Sequence, residues 1–243
     1  MTAPTLVLLH GVGLDHHMWE PVVERLPDAL RVLVPDLPGH GANPAVVDGV
    51  TLADLASAVA LDIPAGSHVV GFSLGALIAQ HLAVHRADLV SSLISVSSVC
   101  RRTPVERDAV LARLDAAESD FAASVEASIH RWYDGTEVNH ERVESTRKTL
   151  LANDRRSFVN CYRVFATGDA DVAPHLSGIA VPALAVTGQR DPGSTPEMTH
   201  RLAAAIPDCT PVVVPHARHM LPVERPGELA ELVSSFVERL THV

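Results

Sequence analysis

The chain has 243 residues, 47% of them hydrophobic and 20% charged, with a formal net charge of −10. That length suits one domain with a sizeable core and room for an insertion. The acidic balance leaves no surplus of Lys and Arg to neutralise phosphates, so neither nucleic acid nor an anionic membrane surface is an expected partner.

Short apolar runs bounded by turn residues predict strands over Thr5–Leu9, Arg31–Val34, Ser67–Val70, Leu93–Val96, Ala183–Val186 and Thr210–Val214. Their brevity and β-branched content suit strands buried on both faces. Helical spacing predicts helices over Met18–Leu26, Thr51–Leu61, Leu74–His85, Pro196–Ile206 and Gly227–Leu240. The alternation implies βαβ units in a doubly wound, mostly parallel sheet of about six strands, an α/β fold.

One interval breaks the rhythm. From about Arg101 to Pro174 helical stretches follow one another, over Pro104–Ala117, Asp120–Trp132, Asn139–Leu151 and Arg155–Thr167. The expected organisation is therefore a core over 1–100, a helical cap over 101–174, and the rest of the core over 175–243. The cap holds more than half of the chain's Lys and Arg, matched by as many acidic residues, which reads as a solvated charged surface.

Three widely spaced cysteines, Cys100, Cys161 and Cys209, include no CxxC pair, so neither a zinc site nor a disulfide framework is expected. The start, Met1-Thr2-Ala3-Pro4-Thr5, lacks a basic n-region, and the run Leu6–Leu9 is too short for a signal sequence. These features predict a soluble, cytoplasmic protein. The sequence leaves the oligomeric state open.

The stretch Gly71-Phe72-Ser73-Leu74-Gly75 joins a strand pattern to a helix pattern. Gly-x-Ser-x-Gly in that setting is a nucleophile elbow, a sharp turn that exposes a serine hydroxyl beyond the strand. A serine hydroxyl is a poor nucleophile at neutral pH and needs a base, and the base needs a partner that fixes its tautomer. Asp191 follows the fifth strand run and His219 follows the sixth, giving the order Ser, Asp, His. Ligand groups just past the carboxyl ends of strands are what open α/β sheets favour. His216 is the rival base; His219 is preferred because it lies farther from the strand and just before the apolar turn Met220-Leu221-Pro222. Asp169 and Asp171 fall in the helical interval rather than after a strand. The second oxyanion donor, beside the N–H of Leu74, is expected from His10-Gly11-Val12-Gly13, namely Val12. His10 reads as a structural residue beneath the site. His16 and His17 read as loop and capping residues, so no metal is expected. Trp132, with Arg131 and Tyr133 beside it, is a candidate element of a pocket for an anionic or ring-bearing ligand, and Phe72 is a further candidate contact.

Together, Leu8-Leu9-His10-Gly11-Val12-Gly13, Trp19, Pro35-Asp36-Leu37-Pro38-Gly39-His40-Gly41, the elbow, and Gly188…Asp191…His219…Glu224-Arg225-Pro226 resemble the α/β-hydrolase superfamily over nearly the whole chain. Within it, the Asp191 segment and Leu150-Leu151-Ala152-Asn153-Asp154 are most similar to the 3-oxoadipate enol-lactonase group. The resemblance implies hydrolysis of a small-molecule ester or lactone without a cofactor. Three departures accompany it. The group usually carries Asn-Ser-Leu-Gly in the oxyanion loop and Ser-Met-Gly-Gly at the elbow, where this chain has His10-Gly11-Val12-Gly13 and Ser73-Leu74-Gly75-Ala76. The superfamily also has two strands ahead of the His-Gly strand, while only four residues precede Thr5, so the expected sheet is all parallel and lacks the antiparallel edge. Two other functions remain open on the residues: C–C hydrolysis of a β-diketone-like ring-cleavage product, and ligand binding without turnover.

Overall fold

A computed structural model describes residues 3–241. Met1 and Thr2, on which the reading of the N-terminus partly rests, lie outside the described residues.

The strands are β1 (Thr5–Leu9), β2 (Arg31–Leu33), β3 (Ser67–Phe72), β4 (Val90–Val96), β5 (Ala183–Gly188) and β6 (Cys209–Val214). They form one sheet in the order β2-β1-β3-β4-β5-β6, and every neighbouring pair is parallel. The sheet is thus all parallel among the described residues, as expected. Strands β1, β3 and β5 are buried almost throughout, and β4 nearly so, as apolar runs covered on both faces should be. The edge strands β2 and β6 are partly exposed, which corrects the expectation of burial on both faces for those two. The strand order reverses between β1 and β3, and in open α/β sheets a ligand crevice lies beyond the carboxyl ends at such a point.

Helices α1 (Glu20–Val23), α2 (Leu52–Val59), α3 (Leu74–His85), α8 (Pro196–Ala205), α9 (Leu221–Glu224) and α10 (Pro226–Thr241) cover the sheet. Helix α3 is buried at Leu74, Leu77, Ile78, Leu82 and most positions between, because it packs on β3 and β4 beneath the helices beside it. Each fully buried Leu or Ile there contributes about 1.5–3 kcal/mol. The helix expected over Met18–Leu26 is instead a 3₁₀ turn, His16–Trp19, leading into the short α1. Pro21 lacks the N–H that an α-helix running on from Met18 would need at that position, and it falls instead in the first turn of α1, where no such bond is required. The turn at Met220-Leu221-Pro222 opens α9.

Between β4 and β5 the chain forms α4 (Pro104–Ser119), α5 (Phe121–Tyr133), α6 (His140–Ala152) and α7 (Arg155–Val172). Thr103, Asp120, Asn139 and Asp154 each accept a hydrogen bond from a first-turn N–H, which is why the helices start where they do. These helices grip the loops at the carboxyl edge of the sheet. Asn153 Nδ2 donates to Gly13 O at 2.8 Å, and Ser157 Oγ to Gly39 O at 3.1 Å. The base of the segment is held by Arg102, whose Nη1 lies 2.7 Å from Asp169 Oδ1 and whose backbone N–H donates to Oδ2 at 2.8 Å. Both side chains are buried, so the expectation of a solvated charged surface fails at this pair. No helix among the described residues is long and apolar enough to cross a membrane.

Candidate active site

Ser73 sits at φ 54° and ψ −111°, a backbone conformation that non-glycine residues rarely adopt and that costs about 1–3 kcal/mol. Neighbouring backbone holds it there. Ser73 N–H donates to Val96 O at 2.9 Å, and Gly75 N–H to His10 O at 3.1 Å. The two glycines are needed because the turn brings main chain onto main chain. A Cβ on Gly71 would lie 2.2 Å from Gly75 O, and one on Gly75 would lie 2.4 Å from Leu9 O.

Asp191 and His219 come from the loops after β5 and β6. His219 Nδ1 and Asp191 Oδ2 are 2.7 Å apart, both side chains being buried. The other carboxylate oxygen of Asp191 accepts the N–H groups of Gly193 and Ser194, each at 2.9 Å, so its orientation is fixed. The backbone carbonyl of His219 accepts from Ser97 Oγ at 3.0 Å. An imidazole held this way donates Nδ1–H to the carboxylate and keeps Nε2 as a free base. His219 and Asp191 line the same cavity as Ser73 and Val12. His216 is exposed, its backbone N–H bonded to Gln189 Oε1 at 3.0 Å, and it does not line that cavity.

The loops after β1 and β3 meet beside Ser73. Leu74 opens α3, where the first N–H groups have no partner within the helix and the helix dipole favours negative charge. Beneath them, His10 Nδ1–H donates to Gly11 O and Nε2 accepts from Leu37 N–H, both at 2.8 Å. Burial, aided by the nearby His40, lowers the pKa of His10 to about 3, so the ring is a neutral brace. His16 pairs with Asp36 at 2.8 Å and Asp15 caps the turn after it, while no cluster of metal-ligating residues occurs among the described residues.

Of the pocket candidates, Trp132 lines the cavity and stacks on His219, with ring centroids 5.6 Å apart and planes inclined by 27°. Arg131 lines it too. Phe72 is only 1% exposed and is not a lining residue; its ring packs against His219 at 5.0 Å, so the expected ligand contact gives way to a packing role. Tyr133 likewise turns inward, its hydroxyl 2.8 Å from Thr146 Oγ1. Asp169 is committed to Arg102.

The sequence reading passed over three residues. Arg113 of α4 and Tyr162 and Phe165 of α7 line the same cavity as Ser73. A signal did exist: Arg113 falls among Val110, Leu114 and Ala117 on the buried stripe of α4, where a charge is out of place. Arg218 was also missed. Its Nη2 donates to Arg131 O at 3.0 Å and its Nη1 to Asp134 O at 2.5 Å, which ties the His219 loop to the end of α5.

A profile of the Alpha/beta hydrolase family matches residues 6–232. The chain belongs to that family and is an α/β-hydrolase enzyme. It is 33% identical over 239 residues to the (E)-2-((N-methylformamido)methylene)succinate hydrolase of Acinetobacter baylyi, covering 96% of this chain and 90% of that protein. It is 30% identical over 246 residues to 3-oxoadipate enol-lactonase 1 of the same organism, covering 98% and 90%. Among solved structures, the enol-lactonase from Burkholderia xenovorans LB400 superposes with a TM-score of 0.87 at 28% identity, covering 98% of this chain and 92% of that one.

Proposed function

We propose that this enzyme hydrolyses a carboxylic ester or lactone of a small molecule, with Ser73 as nucleophile, His219 as general base and acid, and Asp191 as its partner. The observation that carries the reading is the 2.7 Å bond between His219 Nδ1 and the fixed Asp191 carboxylate, on the cavity that Ser73 enters from a strained turn.

His219 Nε2 takes the Ser73 proton as Oγ attacks the carbonyl carbon, and Asp191 stabilises the imidazolium. The N–H groups of Val12 and Leu74 receive the developing oxyanion. His219 then protonates the departing oxygen, and the acyl group stays on Ser73. A water molecule, deprotonated by His219, attacks that acyl group and releases the acid. Helices α4 to α7 serve as the cap, with Trp132 and Arg131 as its substrate-facing residues. The named activities of the relatives, a substituted-succinate hydrolase and an enol-lactonase, support a small-molecule acyl substrate.

The test is a turnover screen over an aryl ester, a five-membered lactone and a vinylogous diketone with wild type and Ser73→Ala. Ester or lactone turnover that falls by about 10³-fold or more in the variant is the expected result. Turnover of the diketone alone would replace the reading with C–C hydrolysis, and turnover unchanged in Ser73→Ala would overturn the assignment of the nucleophile.

A further inference from the structure

Val12 occupies the second position of a tight turn. Leu14 N–H donates to Gly11 O at 3.2 Å, and Gly13, the third residue of the turn, has φ 75°. A positive φ at the third position alone is the type II pattern, which favours glycine there. The N–H of Val12 makes no hydrogen bond among the described residues, and Val12 lines the cavity beside Ser73. The carbonyls on either side of Val12 are both engaged. Gly11 O accepts from the buried His10 Nδ1–H at 2.8 Å, and Gly13 O accepts from Asn153 Nδ2 at 2.8 Å.

Asn153 reaches Gly13 from the carboxyl end of α6, 140 positions along the chain. The same nitrogen donates to Thr149 O at 2.9 Å and Leu150 O at 3.1 Å, two carbonyls near a helix end that has no further turn to bond them. Those two contacts suffice to cap α6. The third, and the shortest, goes to the turn that carries Val12. Three carbonyl oxygens around one nitrogen also fix the residue type. An amide nitrogen donates two hydrogens, whereas an ionised Asp of the same size donates none. A Cβ on Gly13 would lie 2.7 Å from Leu150 Cδ2 and 2.5 Å from Phe158 Cε2, so α6 and α7 press on the residue that Asn153 holds. Asn153 also borders a cleft of about 420 Å³ beside Gly39 and Lys148, so its amide is placed by these hydrogen bonds more than by packing.

We propose that Asn153 is a positioning residue for the oxyanion hole. By holding Gly13 O it fixes the turn, and with it the direction in which the Val12 N–H points. The inference rests on the reading of Ser73 as nucleophile and of the Val12 and Leu74 N–H groups as oxyanion donors. A donor aimed at the developing charge stabilises the transition state more than the bound substrate. Its misalignment therefore lowers kcat and leaves KM nearly unchanged. Asn153 does not line the cavity beside Ser73 and acts only through the turn, so it adds no chemical step. The helical segment then does more than enclose the cavity: it sets one of the two groups that receive charge.

The experiment measures hydrolysis of p-nitrophenyl acetate and its inhibition by trifluoroacetone. Ser73 Oγ adds to that ketone as its proton passes to His219, leaving a negative oxygen like that of the tetrahedral intermediate. Wild type is compared with Asn153→Asp, Asn153→Ala and Thr146→Val. The last removes the bond between Thr146 and Tyr133, which ties α6 to α5, and leaves Gly13 untouched. Both Asn153 variants should lower kcat by about 10- to 100-fold, less than the roughly 10²–10³ that follows outright loss of an oxyanion donor. Their KM should stay within about 3-fold of wild type, and the ketone should weaken by the same factor as kcat/KM. Thr146→Val should leave kcat and the inhibition constant within about 3-fold of wild type. Circular dichroism confirms that each variant is folded, and Asn153→Ala, which introduces no charge, carries the test if Asn153→Asp is not. Wild-type kcat in Asn153→Ala, or a loss confined to KM, overturns this inference alone. An equal loss of kcat in Thr146→Val also overturns it, since loosening of α6 would then be the cause. A wild type that neither hydrolyses the ester nor binds the ketone overturns the hydrolase reading, and this inference with it.

Discussion

Trp132 lies against the imidazole of His219, with ring centroids 5.6 Å apart and planes inclined by 27°. One ring comes from helix α5 and the other from the loop after β6, 87 positions further along the chain in the case of the neighbouring Arg218–Arg131 bond. Phe72 packs on the same imidazole from the end of β3. The candidate base is thus held between the sheet and the helical segment, and its position depends on how that segment is seated.

The choice of base is tested by exchanging the two histidines of the β6 loop. His219→Ala should lower ester turnover by about 10³-fold or more, as loss of a general base in a triad does. His216→Ala should change it by less than about 3-fold, because the side chain is exposed and outside the cavity. Steady-state kinetics decides, and the reverse ranking would move the base to His216.

Gly75→Ala tests the steric account of the elbow. The added methyl would meet the carbonyls of Leu9 and His10 at 2.4 and 2.5 Å, both main-chain atoms that cannot swing away. A loss of about 3 kcal/mol or more in urea-induced unfolding is expected. A variant of wild-type stability would show that the strand and helix can separate at no cost.

Asp169→Ala addresses the seating of the helical segment. Removing the carboxylate strands the buried Arg102 guanidinium, which then keeps only the carbonyls of Phe165 and Ala166. Loss of one member of a buried pair costs about 3–5 kcal/mol. Chemical denaturation measures it. Arg102→Met/Asp169→Leu should recover most of that loss, since both buried charges are then gone.

Acid should weaken the fold before the carboxylates titrate. Burial lowers the pKa of His10 to about 3 and that of His40 to about 4, against an ordinary value of 6.5. Below about pH 6.5 the unfolded chain therefore binds protons that the folded chain refuses, and stability falls as pH falls. The loss begins near pH 6.5 and continues to the folded values near 4 and 3, with a slope of up to about 1.4 kcal/mol per pH unit for each group. Urea midpoints between pH 6.5 and 5 measure it, and His40→Gln should flatten the profile. Burial shifts His68 and His81 in the same direction, so a residual slope is expected in that variant. A wild-type profile flat over this range would contradict the account.

The sequence alone determined the parts of this protein whose physics is local. Apolar runs and helical spacing placed the strands and most helices, because periodicity is written into consecutive residues. The elbow was legible from Gly71, Ser73 and Gly75, since a turn that admits no Cβ requires glycine wherever it occurs. Asp191 and His219 could be picked out because each falls just after a strand, and parallel strands deliver such residues to one edge of the sheet. Tertiary structure decided what depends on residues distant in the chain. It turned Phe72 under His219 and Tyr133 toward Thr146, buried Arg102 with Asp169, and set Trp132 on the imidazole. It also gathered Arg113, Arg131 and Tyr162 from three helices around one cavity. Each of these looks like an ordinary charged or aromatic helix residue in its own stretch of sequence. Only the packing of α4, α5 and α7 against one another fixes which side chains find partners and which line the cavity beside Ser73.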